Sequence, residues 1–391
     1  MKKSMHGLSH EMIKEINLNS RQNPHSLSLD AASPSTIPSR SGSAITRAHH
    51  RHTTSEIVEP AAEMEPKPEP TKSGVVFVSG ANGFIGSWVV RTLLDAGYAT
   101  IRASVFPGSD ASHLFSLPGA SPSRLLLFEA DVLDAAAVGR AVDGCEGVFH
   151  VASPCFLEDP EDPERELLLP AVQGTLNVLE AAKRSGVRRV VLTSSISALV
   201  PNPGWPPHKP FDESSWTDLD YCKSRQKWYA VSKTLAEKAA WEFAEKHGLD
   251  VVAIHPATSL GPLLQPGLNA SSAVLLQLLQ GSTDTQEFHW LGAVDVRDVA
   301  KAQVSLYETP AASGRYLCTN GIYQFSDFAQ RVMKLFPEFP IHRFTGETHP
   351  GLAASEDAAK RLIDMGFSFI PLEDTIGDAV ESLRARGFLQ G

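Results

Sequence analysis

The stretch GVVFVSGANGFIGSWVVRTLLDAGY, beginning at Gly74, constrains the fold more than any other part of the chain. Val75 to Val78 is a short apolar run suited to a buried strand, Gly80, Gly83 and Gly86 follow, and Ser87 to Ala96 carries helical periodicity. A strand that turns tightly into a helix through residues without side chains lets backbone approach a pyrophosphate closely. The amides that open the helix then face its negative charge. Gly80, Gly83, Phe84, Ile85 and Gly86 are therefore candidate cofactor contacts. Two residues separate the first and second glycines, where many dinucleotide dehydrogenases have one.

Strand and helix patterns continue to alternate. A second strand is predicted over Ala99 to Phe106, a third in LLLFEADVLDAAAV ending near Asp131, and a fourth over Gly147 to Ala152. A helix from Glu166 to Ser185 then leads into RRVVLTSSISALV. This alternation predicts an α/β Rossmann-type, doubly wound parallel sheet covered by helices on both faces. An acid at the end of the second strand would hold the ribose 2′-hydroxyl of NAD, and TIRASVFPGSD offers none there. That absence favours a 2′-phosphate, with Arg102 the nearest base, although neither Val105 nor Phe106 is an arginine. Asp131 and Val132 either bracket an adenine edge or, in the case of Asp131, begin the next helix as its cap.

The strand RVVLTSS ends in Ser194 and Ser195, at the carboxyl edge where parallel sheets gather functional side chains. About 35 residues later, KWYAVSKTLAEKAAWEFAEKHG sets Tyr229 and Lys233 one helical turn apart, with Gly248 as the stop. Tyr229, Lys233, Ala236, Ala240 and Phe243 form one stripe of that helix. An oxygen that gains negative charge on accepting hydride needs a proton. A phenol is the donor at hand, a nearby cation stabilises its anion, and a serine hydroxyl steadies the carbonyl.

GANGFIG, HVASP, LTSSISA and YAVSK together resemble the extended short-chain dehydrogenase/reductase superfamily, whose motif is YxxxK. More narrowly, residues 74–387 resemble the plant cinnamoyl-CoA reductase and dihydroflavonol reductase group, through DYCKSRQKWYAVSKTLAEK, GPLLQPGLNASS and VDVRDVAKAQVSLYE. The resemblance implies an NADP(H)-binding Rossmann domain, with NAD(H) left open, and a smaller, mainly C-terminal α/β substrate lobe. It implies Ser195, Tyr229 and Lys233 as catalytic residues, and Asp131, Val132, Ala152 and Pro256 as cofactor contacts alongside Tyr229 and Lys233. It also implies reduction of a small aromatic carbonyl or acyl-CoA, a hydroxycinnamoyl-CoA thioester foremost. The chain departs from the group where NWYCYGK becomes KWYAVSK and where an asparagine before proline becomes His255. Those departures favour a cinnamoyl-CoA reductase-like paralogue, with a catalytically weak NAD(P)-binding regulatory or interaction protein as the alternative.

The resemblance leaves residues 1–73 aside, a Ser-, Pro- and His-rich tail expected to be disordered and to serve as a transit segment or an upstream extension. Residues 74–255 are expected to form mainly the nucleotide domain, and 256–391 mainly the substrate lobe with segments returning to the first. A net charge of -10 speaks against nucleic acid, and no apolar run reaches the length of a membrane span. Cys145, Cys155, Cys222 and Cys318 show neither metal nor disulfide spacing, which fits a cytoplasmic protein without metal. Neither His255 nor His289 has a metal-ligand neighbour in sequence. Trp205, Trp216 and Trp228 either stack on an aromatic substrate or anchor the Pro201–Gln226 loop, and Arg297 either reaches the cleft or pairs with Asp295 or Asp298.

Overall fold

The computed structural model describes residues 72–156, 160–206, 209–283, 290–344 and 358–390. The predicted tail up to residue 71, and His289, lie outside the described residues. The first half alternates β1 (Lys72–Ser79), α1 (Phe84–Asp95), β2 (Tyr98–Val105), α2 (Ser112–Phe115), β3 (Leu125–Glu129), α3 (Ala135–Val142) and β4 (Gly147–His150). A π-helical turn, Glu164–Leu168, leads into α4 (Leu169–Arg184) and β5 (Arg189–Thr193). A 3₁₀ turn (Ile196–Ala198), α5 (Leu219–Ser224), α6 (Trp228–His247) and β6 (Val251–Pro256) follow. The remainder comprises β7 (Thr258–Leu260), α7 (Ala270–Leu279), β8 (Trp290–Asp295), α8 (Val296–Glu308), β9 (Gly314–Cys318), β10 (Ile322–Gln324), α9 (Phe325–Leu335), α10 (Lys360–Asp364) and α11 (Leu372–Ala385).

Seven strands pair in the order β3-β2-β1-β4-β5-β6-β9, every neighbouring pair parallel. The chain runs outward from β1 in one direction, then crosses back to β4 on its other side. The switch point of this doubly wound sheet therefore lies between β1 and β4, where such sheets leave a crevice. Strands β4, β5 and β6 are buried throughout, as a parallel sheet covered on both faces requires. One apolar layer, with Val89, Leu93, Val299 and Tyr307, packs α1 and α8 on one face. The other, with Val142, Val178, Leu179 and Ala240, packs α3, α4 and α6 on the opposite face.

A three-stranded sheet, β10-β8-β7, forms the smaller lobe with α7, α9 and α11 around Leu275, Phe325, Phe328 and Ile376. Phe84, the first residue of α1, packs into this second core, so the glycine loop is tied to both bodies. The start of the folded body differs by two residues from the sequence expectation. Lys72 and Ser73 belong to β1 rather than to the tail, because Lys72 pairs with Tyr98 on β2. Residues 296–318 return to the large sheet, α8 lying on α1 and β9 beside β6. Helix α6 ends where its sequence indicates, with Gly248 in the left-handed region at φ +61°.

Candidate active site

The glycine loop separates what the fold needs from what a ligand needs. Gly80 has φ +64°, and a Cβ there would lie 2.8 Å from Cα of Ala152, across the switch point. At Gly86 a Cβ would meet the Gly80 carbonyl oxygen at 2.1 Å. Both positions are closed to side chains by the chain itself. Gly83 differs: it is exposed, and the nearest atom to an added Cβ is the Gly80 oxygen at 3.3 Å. The space there opens over the start of α1, which has no side-chain cap and no acid in its first turn. Bare amides with no competing anion suit a pyrophosphate. The cradle fits the dinucleotide that the sequence implies.

The opposite wall is held by a buried polar chain. Ser79 Oγ accepts from the amides of Val151 and Ala152, both at 3.0 Å, and lies 2.8 Å from His150 Nδ1. Having accepted twice, the hydroxyl gives its hydrogen to Nδ1, so Nε2 donates to Thr175 Oγ1 at 3.1 Å. Burial drives the His150 imidazole down to about 3, with Lys233 adding to the effect, so the ring is neutral. Ala152 is thereby fixed against Gly80.

The catalytic candidates converge at the carboxyl end of β5. Lys233 Nζ donates to the Thr193 carbonyl at 2.9 Å, which fastens α6 to the last residue of that strand. Ser195, 7% exposed, caps the 3₁₀ turn by accepting from Ser197 N. The phenol of Tyr229 has the Ser195 hydroxyl and the Cys155 thiol as polar neighbours. Burial pushes that phenol up, Cys155 adds to the rise, and Ser195 opposes it. Burial also pulls the Lys233 ammonium down to about 8, partly offset by Cys155 and Glu237. Among the described residues no side-chain hydrogen bond joins Tyr229 to Lys233; they share a helix face and meet the same serine-bearing strand end.

Other sequence-predicted residues are placed differently. Arg102 donates to the carbonyls of Ala141 and Asp143 at the end of α3 and lies over Phe128, so its guanidinium is engaged away from the glycine loop. At the end of β2 the side chain turned to solvent is Phe106, 63% exposed. The cap of α3 is Asp134, which accepts from the amides of Ala136 and Ala137. Asp131 instead accepts from Leu133 N, leaving it beside the loop rather than in the helix. Val132 fills the space above Gly174, and Pro256 is buried at the end of β6 against Cys318.

Arg297 pairs with Asp295 and with Asp378, not with Asp298. All three tryptophans are anchored. Trp205 Nε1 donates to Lys209 O, Trp216 lies under Arg315 at 3.8 Å, and Trp228 packs beside Cys222 and Val231. Two polar groups at the site, Cys155 and Glu237, are not marked by the family motifs; Glu237 continues the spacing of Tyr229 and Lys233 by one more turn, which is the signal that marks it. Among the described residues no group of three metal-ligating side chains occurs, and no helix is long and apolar enough to cross a membrane.

Residues 76–318 match the model of the NAD dependent epimerase/dehydratase family. Cinnamoyl-CoA reductase 1 of Petunia hybrida is 43% identical over 318 residues, 81% of this chain and 93% of that protein. Among solved structures, vestitone reductase from alfalfa (Medicago sativa L.) superposes with a TM-score of 0.69 at 35% identity, covering 81% of this chain and all of that one. A yeast methylglyoxal/isovaleraldehyde reductase complexed with NADPH gives a TM-score of 0.69 at 30% identity, with coverage of 81% and 100%. With its glycine cradle at the switch point and Ser195, Tyr229 and Lys233 at the end of β5, the chain belongs to the NAD dependent epimerase/dehydratase family and is closely related to the plant cinnamoyl-CoA reductase-like reductases.

Proposed function

We propose that this protein is an NADP(H)-dependent reductase of phenylpropanoid or related carbonyls, and that its substrate is a hydroxycinnamoyl-CoA thioester reduced to the aldehyde. The observation that carries the reading is the meeting of Ser195, Tyr229 and Lys233 within one strand end of an open glycine cradle. NADPH, when bound, supplies the hydride. Gly80, Gly83 and Gly86 with the amides of Phe84 and Ile85 would hold its pyrophosphate, and Ala152, Asp131 and Val132 would border the rest. NADP(H) is preferred to NAD(H) because no acid stands at the end of β2 to claim a ribose 2′-hydroxyl.

Ser195 orients the carbonyl oxygen, and Tyr229 gives it a proton as negative charge develops. The raised phenol keeps that proton in place at neutral pH. Lys233, held on Thr193, offers its remaining hydrogens to the cofactor ribose and its charge to the phenolate left by Tyr229. A thioester substrate gives a hemithioacetal, which loses coenzyme A to yield the aldehyde. Positioning and charge stabilisation are what the chain itself contributes.

A panel of feruloyl-CoA, coniferaldehyde and a dihydroflavonol, each with NADPH and with NADH, tests the assignment. Turnover of feruloyl-CoA with NADPH is expected. Turnover confined to the dihydroflavonol would replace the thioester, and a marked preference for NADH would overturn the cofactor choice.

A further inference from the structure

The densest buried polar cluster lies one turn beyond Lys233. Glu237, 1% exposed, receives Ser194 Oγ at 2.6 Å and His255 Nε2 at 2.7 Å on Oε2. On Oε1 it receives Arg315 Nε at 2.6 Å and Trp241 Nε1 at 3.0 Å. One carboxylate thus ties α6 to the end of β5, to β6 and to β9. Arg315 extends the tie: its Nη1 donates to the carbonyls of Glu213 and Ser215 at 2.7 and 2.5 Å, in the loop before the catalytic helix. Ser215 Oγ and Thr217 Oγ1 in turn bind the carbonyls of Leu199 and Ser197, beside the turn that Ser195 caps.

Glu237 also borders the catalytic side. A cavity of about 10 Å³ is lined by both Lys233 and Glu237, together with Thr193, Ser194, His150 and Thr175. Burial alone would push the Glu237 carboxyl up; His255 and Arg315 overcome it and hold the group well below the usual carboxylate range, so it stays charged. The other titratable groups around Lys233 are neutral near pH 8. His150 on β4 is driven down by burial, and both the Cys155 thiol and the Tyr229 phenol are pushed up. Glu237 is the standing negative charge that faces Lys233, while His255, Arg315 and Lys238 face Glu237 itself.

We propose that Glu237 is a positioning residue of the reductase site: its carboxylate sets Ser194, and with it Ser195, in register with Tyr229, and it holds the proton on Lys233. The proposal rests on the reductase reading above, so its main readout is NADPH binding, which needs no carbonyl substrate. NADPH affinity, followed by nicotinamide fluorescence from pH 6 to 10, is compared in the wild type and Glu237→Gln. The wild type should lose affinity above about pH 8, the value to which Lys233 is drawn, and Glu237→Gln should lose it at a lower pH. An alkaline limb at the same pH in both proteins, or in neither, overturns the proposal.

Ser194→Ala keeps the charge and removes one hydroxyl, so it serves if Glu237→Gln does not fold. It should lower kcat on the order of 10-fold at unchanged NADPH affinity and leave the limb in place, whereas wild-type kcat contradicts the positioning of Ser195. Absence of turnover in the wild type would count against the reductase reading alone, since the limb in NADPH binding is read without it.

Discussion

Lys233 Nζ and the carbonyl oxygen of Thr193 lie 2.9 Å apart, which joins the second turn of α6 to the strand that delivers Ser195 two residues later. The lysine is charged only while protonated, and burial has already brought it down to about 8. Reductive kcat/KM should therefore fall as pH rises through about 8, the protonated form being the active one. In Lys233→Arg the cation does not titrate in that range, so the limb should vanish while activity drops on the order of 100-fold. A pH–rate profile that is flat in the wild type, or that keeps its limb in the arginine variant, contradicts this role.

Gly83 carries a prediction that distinguishes ligand from fold. An alanine there meets only the Gly80 oxygen, at 3.3 Å, whereas one at Gly86 meets it at 2.1 Å. Gly83→Ala should melt within a few degrees of the wild type yet bind NADPH more weakly, on the order of 10-fold or more, because its methyl occupies the cradle. Gly86→Ala should lose stability as well. Unchanged NADPH affinity in folded Gly83→Ala would place the pyrophosphate elsewhere.

Phe106 follows the last residue of β2 with 63% of its surface exposed, and the carboxylate of Glu129 at the end of β3 is taken up by the amide of Gly108. Phe106→Arg should tighten NADPH by roughly 10-fold and leave NADH nearly unchanged, since a guanidinium pairs with a 2′-phosphate and not with a hydroxyl. Isothermal titration with the two dinucleotides reads this directly. Equal effects on both would mean that residue 106 does not face the ribose.

What was legible in the sequence was local. The glycine spacing, the Tyr229 and Lys233 turn, and Gly248 as a stop each depend on residues within a few positions, and each lies in the expected element. What was not legible depended on distant partners. Arg102 is the base nearest the end of β2 in sequence, whereas in the fold its Nη1 donates to the carbonyls of Ala141 and Asp143, about 40 residues on. His255 looked like the loss of a family asparagine, yet in the fold it meets Glu237, 18 residues earlier in the chain. Asp131 and Asp134 are indistinguishable as caps by spacing alone; only the amides of Ala136 and Ala137 decide between them. The return of β9 to the large sheet is likewise a long-range pairing, invisible in the pattern of GRYLC itself.

In the proposed reaction Tyr229 supplies the proton during reduction of a phenylpropanoid carbonyl. This role is tested by kcat/KM and NADPH affinity of the wild type and Tyr229→Phe, side by side, with feruloyl-CoA and coniferaldehyde. Wild-type turnover with NADPH is expected, with a fall of about 100-fold or more in Tyr229→Phe at nearly unchanged NADPH affinity. Equal turnover in the two proteins, or tight NADPH binding with no wild-type turnover of either carbonyl, would contradict it.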